Sequence, residues 1–155
     1  MLVCHGHSGR TERGNEMRID PIELATAVRE VAKEQPAQWN RQARYFDYKG
    51  QPMCIVGHAL SHMGFGPDTI EEDGLSVDRI IERRSWDPES EEARWWLMRV
   101  QINADRGGHK SSLIARYDDG GCPVYEYARA YPDLVWGKAI DRADRDLLRD
   151  DLYRY

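Results

Sequence analysis

The sequence predicts a mainly α protein, four to five helices around a single core, with a small β-hairpin near residues 44–53. Three observations carry this. Apolar residues recur at helical spacing in successive segments, and Pro and Gly punctuate the gaps between them. The aromatic run Tyr45-Phe46-Asp47-Tyr48 has strand character and is followed by Lys49-Gly50, a tight-turn pair. At 155 residues with 41% hydrophobic content, the chain is long enough to bury a core without metals or disulfides.

The segment 1–16 is polar, Gly-containing and without periodicity, so it reads as a disordered tail. Met17 precedes the organised sequence directly and is a candidate start of translation. Asp20 is placed to cap a helix, with Pro21 at its first position and Glu23 completing a capping-box-like pattern. Leu24, Val28 and Val31 follow on one face, and Pro36 ends this helix by about residue 34. A second, short helix is expected over about 53–63, closing at Gly64. Ser76 is placed to cap a third, carrying Val77, Ile80 and Ile81.

Asp87 and Pro88 open the strongest helical pattern, with Glu89, Glu91 and Glu92 where the dipole favours acids. Ala93, Trp96, Leu97, Val100 and Ala104 form its apolar face, widened by Trp95, Met98 and Ile102. A helix apolar over so much of its circumference belongs at the centre of the core. Residues 108–134 are the least periodic. Asp118-Asp119-Gly120-Gly121 marks a turn, and 124–131 reads as a short helix or strand. The final helix begins near Leu134, with Trp136, Ile140, Ala143 and Leu147 facing inward.

Net charge is −5, and residues 68–94 hold ten acidic groups against four arginines. The remainder is close to neutral, so no basic stripe is available for a phosphate backbone, and general nucleic-acid binding is not expected. The acidic segment reads first as a solvated helical face and second as a surface for a basic partner. No apolar run approaches the roughly 18 residues that a membrane span requires. No basic start followed by an apolar stretch marks a signal peptide. Three widely spaced cysteines fit a reducing cytosol better than a disulfide framework.

Chemistry concentrates at Cys54, His58 and His62, at four-residue steps on the second helix. The span from Cys54 to His62 gives about 12 Å of rise, too far for one zinc ion to bind all three. A site would use Cys54 with His58, or His58 with His62, plus donors from elsewhere such as Cys122 or His109. A thiol at a helix start is also a candidate nucleophile, since the free N–H groups stabilise its thiolate. Its base would be His58 or His109, oriented by Asp118 or Asp119. Each four-residue step turns the helix by roughly 40° beyond a full circle, so the three side chains form a slanting stripe beside the aliphatic face. No cofactor motif is present. Aromatic residues supply the candidate interaction residues, Trp39, Tyr45 and Tyr48 before this helix and Tyr125 and Tyr127 after it.

Gly50-x-Pro52-x-Cys54-Ile-Val-Gly57-His58-Ala-Leu60-x-x-x-Gly64, then Ala104-Asp105-x-Gly107, then Trp136-Gly137-x-Ala139-Ile140-x-x-Ala143-Asp144, resembles a family of small uncharacterised proteins of actinobacteria and their bacteriophages. The resemblance covers roughly residues 22–144. It implies a small accessory protein without assigning an activity. In such relatives the Asp-x-Gly and Trp-Gly elements lie nearly adjacent, so residues 108–135 look like an insertion, the place where a member-specific function would reside. The leading expectation is a cytoplasmic, non-enzymatic protein that binds a protein partner through residues 108–135 or the acidic segment. The alternatives are a Cys54-dependent hydrolase or transferase, and a zinc-stabilised binding domain.

Overall fold

The computed structural model describes residues 18–70, 75–84 and 88–150. The expected N-terminal tail, the candidate start at Met17 and the Asp87 cap lie outside them. Five helices form the body: α1 (Pro21–Glu34), α2 (Ile55–His62), α3 (Val77–Arg84), α4 (Glu91–Asp105) and α5 (Trp136–Asp150). A two-stranded antiparallel sheet, β1 (Leu113–Tyr117) with β2 (Pro123–Tyr127), projects between α4 and α5. The mainly α fold with a small hairpin is therefore the observed one.

Asp20 caps α1 through its carboxylate, which accepts the N–H groups of Ile22 at 2.9 Å and Glu23 at 3.4 Å. Such a cap stabilises a helix by about 1 kcal/mol. Leu24, Val28 and Val31 are buried, while Ile22 on the opposite face is exposed. Helix α4 is central, packing against α1, α2, α3 and α5 through Trp96, Leu97, Val100 and Ala104. Trp95 is the exception to the expected wide apolar face, because its side chain lies exposed. The α-helix begins at Glu91, later than its sequence suggests. Pro88–Ser90 forms a 3-10 turn, and Glu91 and Glu92 occupy the first α-helical turn.

The two hairpin regions differ from expectation in extent. Near residues 44–53 the chain does double back, but only one bridge forms, Phe46 opposite Pro52. The Asp47 carboxylate closes this turn by accepting the N–H groups of Lys49 (2.9 Å) and Gln51 (2.8 Å). The Asp47 N–H donates to Gln51 O at 2.8 Å and the Met53 N–H to Tyr45 O at 2.9 Å on either side of this bridge, and the pairing ends there because Cys54 already caps α2. The regular ladder is instead Leu113–Tyr117 with Pro123–Tyr127, in continuous register from Leu113↔Tyr127 to Tyr117↔Pro123. The alternation in these strands is too weak to separate strand from helix by sequence.

Residues 108–135 leave the helical body and return to the same point. The Tyr131 N–H donates to Gly107 O at 2.9 Å, and Gly108 bridges Ala130. A Cβ on Gly107 would lie 2.5 Å from Leu134 O, so only glycine allows the two ends of the excursion to close this tightly.

Candidate functional site

Cys54 is the N-cap of α2. Its backbone is extended, its Sγ accepts the Gly57 N–H at 3.2 Å, and the residue is 2% exposed. Because the cap precedes the helix, the angular placement expected for Cys54 does not apply to it. The stripe becomes a gradient: Cys54 buried, His58 half-buried, His62 exposed. His58 meets Trp136 edge-on with ring centroids 5.0 Å apart. Burial, then the neighbouring His62, lowers its pKa and so disfavours the charged imidazolium.

His109 is elsewhere. It stands at the base of the hairpin excursion, with Nδ1 2.6 Å from Ser111 Oγ and its ring stacked on Tyr131 at 4.4 Å. Asp118 is also engaged, since its carboxylate accepts the Gly120 and Cys122 N–H groups in the β1–β2 turn. His109 and Asp118, two of the groups considered as partners for Cys54, are thus engaged around the hairpin. Cys122 is disulfide-bonded, which removes it as a thiolate donor, while Cys54 is a free thiol. Among the described residues, no three His, Cys, Asp or Glu side chains are grouped to hold a metal ion.

What gathers around α2 is a polar hub that has no signature in the sequence. Asn40 is 2% exposed. Its Oδ1 accepts the Ile55 N–H at 2.9 Å and the Trp136 Nε1–H at 2.8 Å, and its Nδ2 donates to Asp105 Oδ1 at 2.8 Å. One amide therefore ties the start of α2, the end of α4 and the start of α5. Asp105 keeps an exposed face, yet desolvation of its carboxylate pushes its pKa up to about 6 against the lowering effect of the Asn40 hydrogen bond. Gly57 sits against the backbone of Tyr45, where a Cβ would lie 2.1 Å from the carbonyl oxygen. The short motifs quoted above, Cys54-to-Gly57, Asp105-x-Gly107 and Trp136-Gly137, converge here. Asp144, from the last of them, accepts from Arg29 (2.8 Å) and Trp96 Nε1 (2.8 Å) across α1, α4 and α5. Although desolvation pushes its carboxyl up, these bonds hold it below the ordinary range.

The candidate interaction residues divide. Tyr45 is buried: its hydroxyl donates to Leu75 O at 2.6 Å and accepts from Gln101 Nε2 at 2.9 Å, and burial holds the phenol protonated. It presents no surface. Trp39 and Tyr127 do meet, through the indole N–H on Tyr127 O at 3.2 Å, with Arg41 stacked over the indole. Tyr48 and Tyr125 are exposed. A groove of about 470 Å³ lies between the 47–49 turn and the hairpin, lined by Gln42, Tyr48, Lys49, Arg116, Val124 and Glu126. By the strand register Leu113, Tyr117 and Tyr125 share one face of the hairpin, exposed at 47%, 71% and 59%, and Ala115 and Tyr117 on β1 also border the groove. Leu113 and Tyr117 are the residues that reading by helical period passes over.

No family model, curated protein or solved structure matches the chain. Among the described residues, no helix is long and apolar enough to cross a membrane.

Proposed function

We propose that this chain is a non-enzymatic accessory protein that binds a protein partner through the outer face of the β1–β2 hairpin. The observation that supports it is Leu113, Tyr117 and Tyr125 standing exposed together on one face of a hairpin anchored at its base. Contiguous apolar surface is costly to leave in water and marks interaction sites. Tyrosines suit this use, since they bring large contact area with few rotatable bonds. Charges around the hairpin are of mixed sign, with Arg116 paired to Glu126 at 2.7 Å, so the surface favours a polypeptide over a phosphate backbone. The described acidic side chains of 68–94, such as Glu82, Glu91 and Glu92, are exposed on helix faces and carry no comparable apolar centre. An accessory role is also what the resemblance to small phage and actinobacterial proteins implies.

A photo-crosslinking residue at position 125, compared in cells with one at the exposed position 22 on α1, tests the proposal. The expected result is an adduct to another polypeptide from position 125 alone, lost in a Leu113→Ser/Tyr117→Ser background. Equal labelling from both positions, or none from position 125, overturns it.

A further inference from the structure

We infer that the open edge of the hairpin is covered by a second copy of this chain, the two β1 strands pairing about a two-fold axis at Ala115 to make a four-stranded sheet. The inference rests on the hairpin being the docking element, and it names what pairs with its edge. The phase of the ladder shows which groups are available. The Ala128 N–H donates to Ser112 O at 3.1 Å and the Asp118 N–H to Cys122 O at 3.0 Å. In the observed register the bonds between the strands therefore fall at Ser112, Ile114, Arg116 and Asp118. Leu113, Ala115 and Tyr117 turn their N–H and C=O groups outward.

The far edge of β2 is not equivalent. There the Tyr127 N–H donates to Arg41 O at 3.0 Å, Tyr127 O accepts the Trp39 indole, and Pro123 has no N–H to offer. On β1 every residue is exposed. Leu113–Tyr117 contains no Pro and no Lys, its register has no bulge, and its one charge, Arg116, is paired with Glu126 of its own hairpin. A two-stranded hairpin is marginal alone, whereas more strands with an apolar face are not.

The strand is its own complement. Antiparallel pairing centred on Ala115 sets Ala115 against Ala115, Leu113 against Tyr117 of the second copy, and Ile114 against Arg116. Each outward N–H then meets an outward carbonyl, and the smallest side chain lies at the axis. Arg116 faces Ile114 of the second copy, not its own equivalent, and Glu126 of its own chain already neutralises it. Like charges therefore do not meet directly across the axis. The same pairing doubles the exposed face of Leu113, Tyr117 and Tyr125 into one continuous surface.

Sedimentation velocity of the purified full chain tests this, with Ala115→Lys and Ala115→Glu as variants. The expected result is a dimer for the native chain and a monomer for each variant alone. An equimolar mixture of the two variants regains the dimer, because a residue on the axis faces itself and Lys then meets Glu. Thermal melts of the variants matching the native chain show that the fold is intact. A native chain that stays monomeric at millimolar concentration, a dimer indifferent to both variants, or a mixture that stays monomeric overturns the inference. A monomer that still gives the position-125 adduct to another protein overturns the dimer and leaves the docking face. A dimer whose only adduct is to its second copy does the reverse.

Discussion

The Asn40 hub and the β1–β2 hairpin are opposite uses of polar and apolar groups. In the hub, the Asn40 amide, a peptide N–H and an indole N–H are buried and each has a named partner, with the Asp105 carboxylate closing the network at its edge. On the hairpin, apolar groups are exposed and the strand's outer backbone groups point to solvent. A buried polar group without a partner costs more than its hydrogen bond contributes, so the hub tolerates little change. An exposed apolar side chain contributes almost nothing to folding, so its retention on the hairpin is better explained by what it contacts outside the chain. The difference makes the hub a stability centre and the hairpin the proposed site of recognition.

The largest effect that would sharpen this division is at the hub. Asn40→Ala strands the Trp136 and Ile55 N–H groups and should cost about 4 kcal/mol in equilibrium denaturation. A loss under about 1 kcal/mol would remove the hub as a stability centre. Next is Gly57→Ala, whose Cβ would overlap the Tyr45 carbonyl; about 3 kcal/mol is expected, measured the same way. Cys54→Ala should cost about 1 kcal/mol by losing the cap, while Cys54→Ser keeps an acceptor and costs less. The same cap role predicts that Cys54, being buried, alkylates more slowly than a free thiol in the folded chain. Fast alkylation at neutral pH would return it to candidacy as a nucleophile.

A pH effect separates Asp105 from the rest of the hub. Its folded pKa, about 6, lies above the ordinary carboxyl value near 3.9. The folded state therefore takes up this proton first, and the group's stabilising contribution is complete below about 3.9 and lost as pH rises through about 6. Asp105→Asn keeps an acceptor for Asn40 and should flatten the stability profile across that window. An unchanged slope would show that the carboxylate is fully solvated. Smallest of all, Tyr117→Ser should change stability by less than about 0.5 kcal/mol while weakening the adduct formed from position 125. A large stability loss instead would make Tyr117 part of the fold's packing and erase the contrast.

Helices are legible because their signals are local. Asp20, Pro21 and the Leu24-Val28-Val31 spacing specify α1 within one stretch of chain, and the acidic first turn and apolar face of α4 do the same. The candidate site is less legible. Cys54, His58 and His62 look like a chemical stripe by spacing, but a cap bond, an aromatic neighbour and solvent give the three different environments. Asn40 carries no local signal, since its partners are 15, 65 and 96 residues away. The hairpin's location escapes the sequence because short strands with so little burial need no strict alternation.

Composition and pattern alone establish a mainly α chain, the bounds of its first helix and the segment that departs from helical order. They also show which residues could do chemistry. Only the packed structure decides which of them meet: it engages His109 with Ser111 and Tyr131, buries Tyr45, joins three distant motifs at Asn40 and leaves one face of 113–127 in water. Helix capping and periodicity act within a few residues of each other. Burial and hydrogen-bond satisfaction are properties of surfaces brought together across the whole chain.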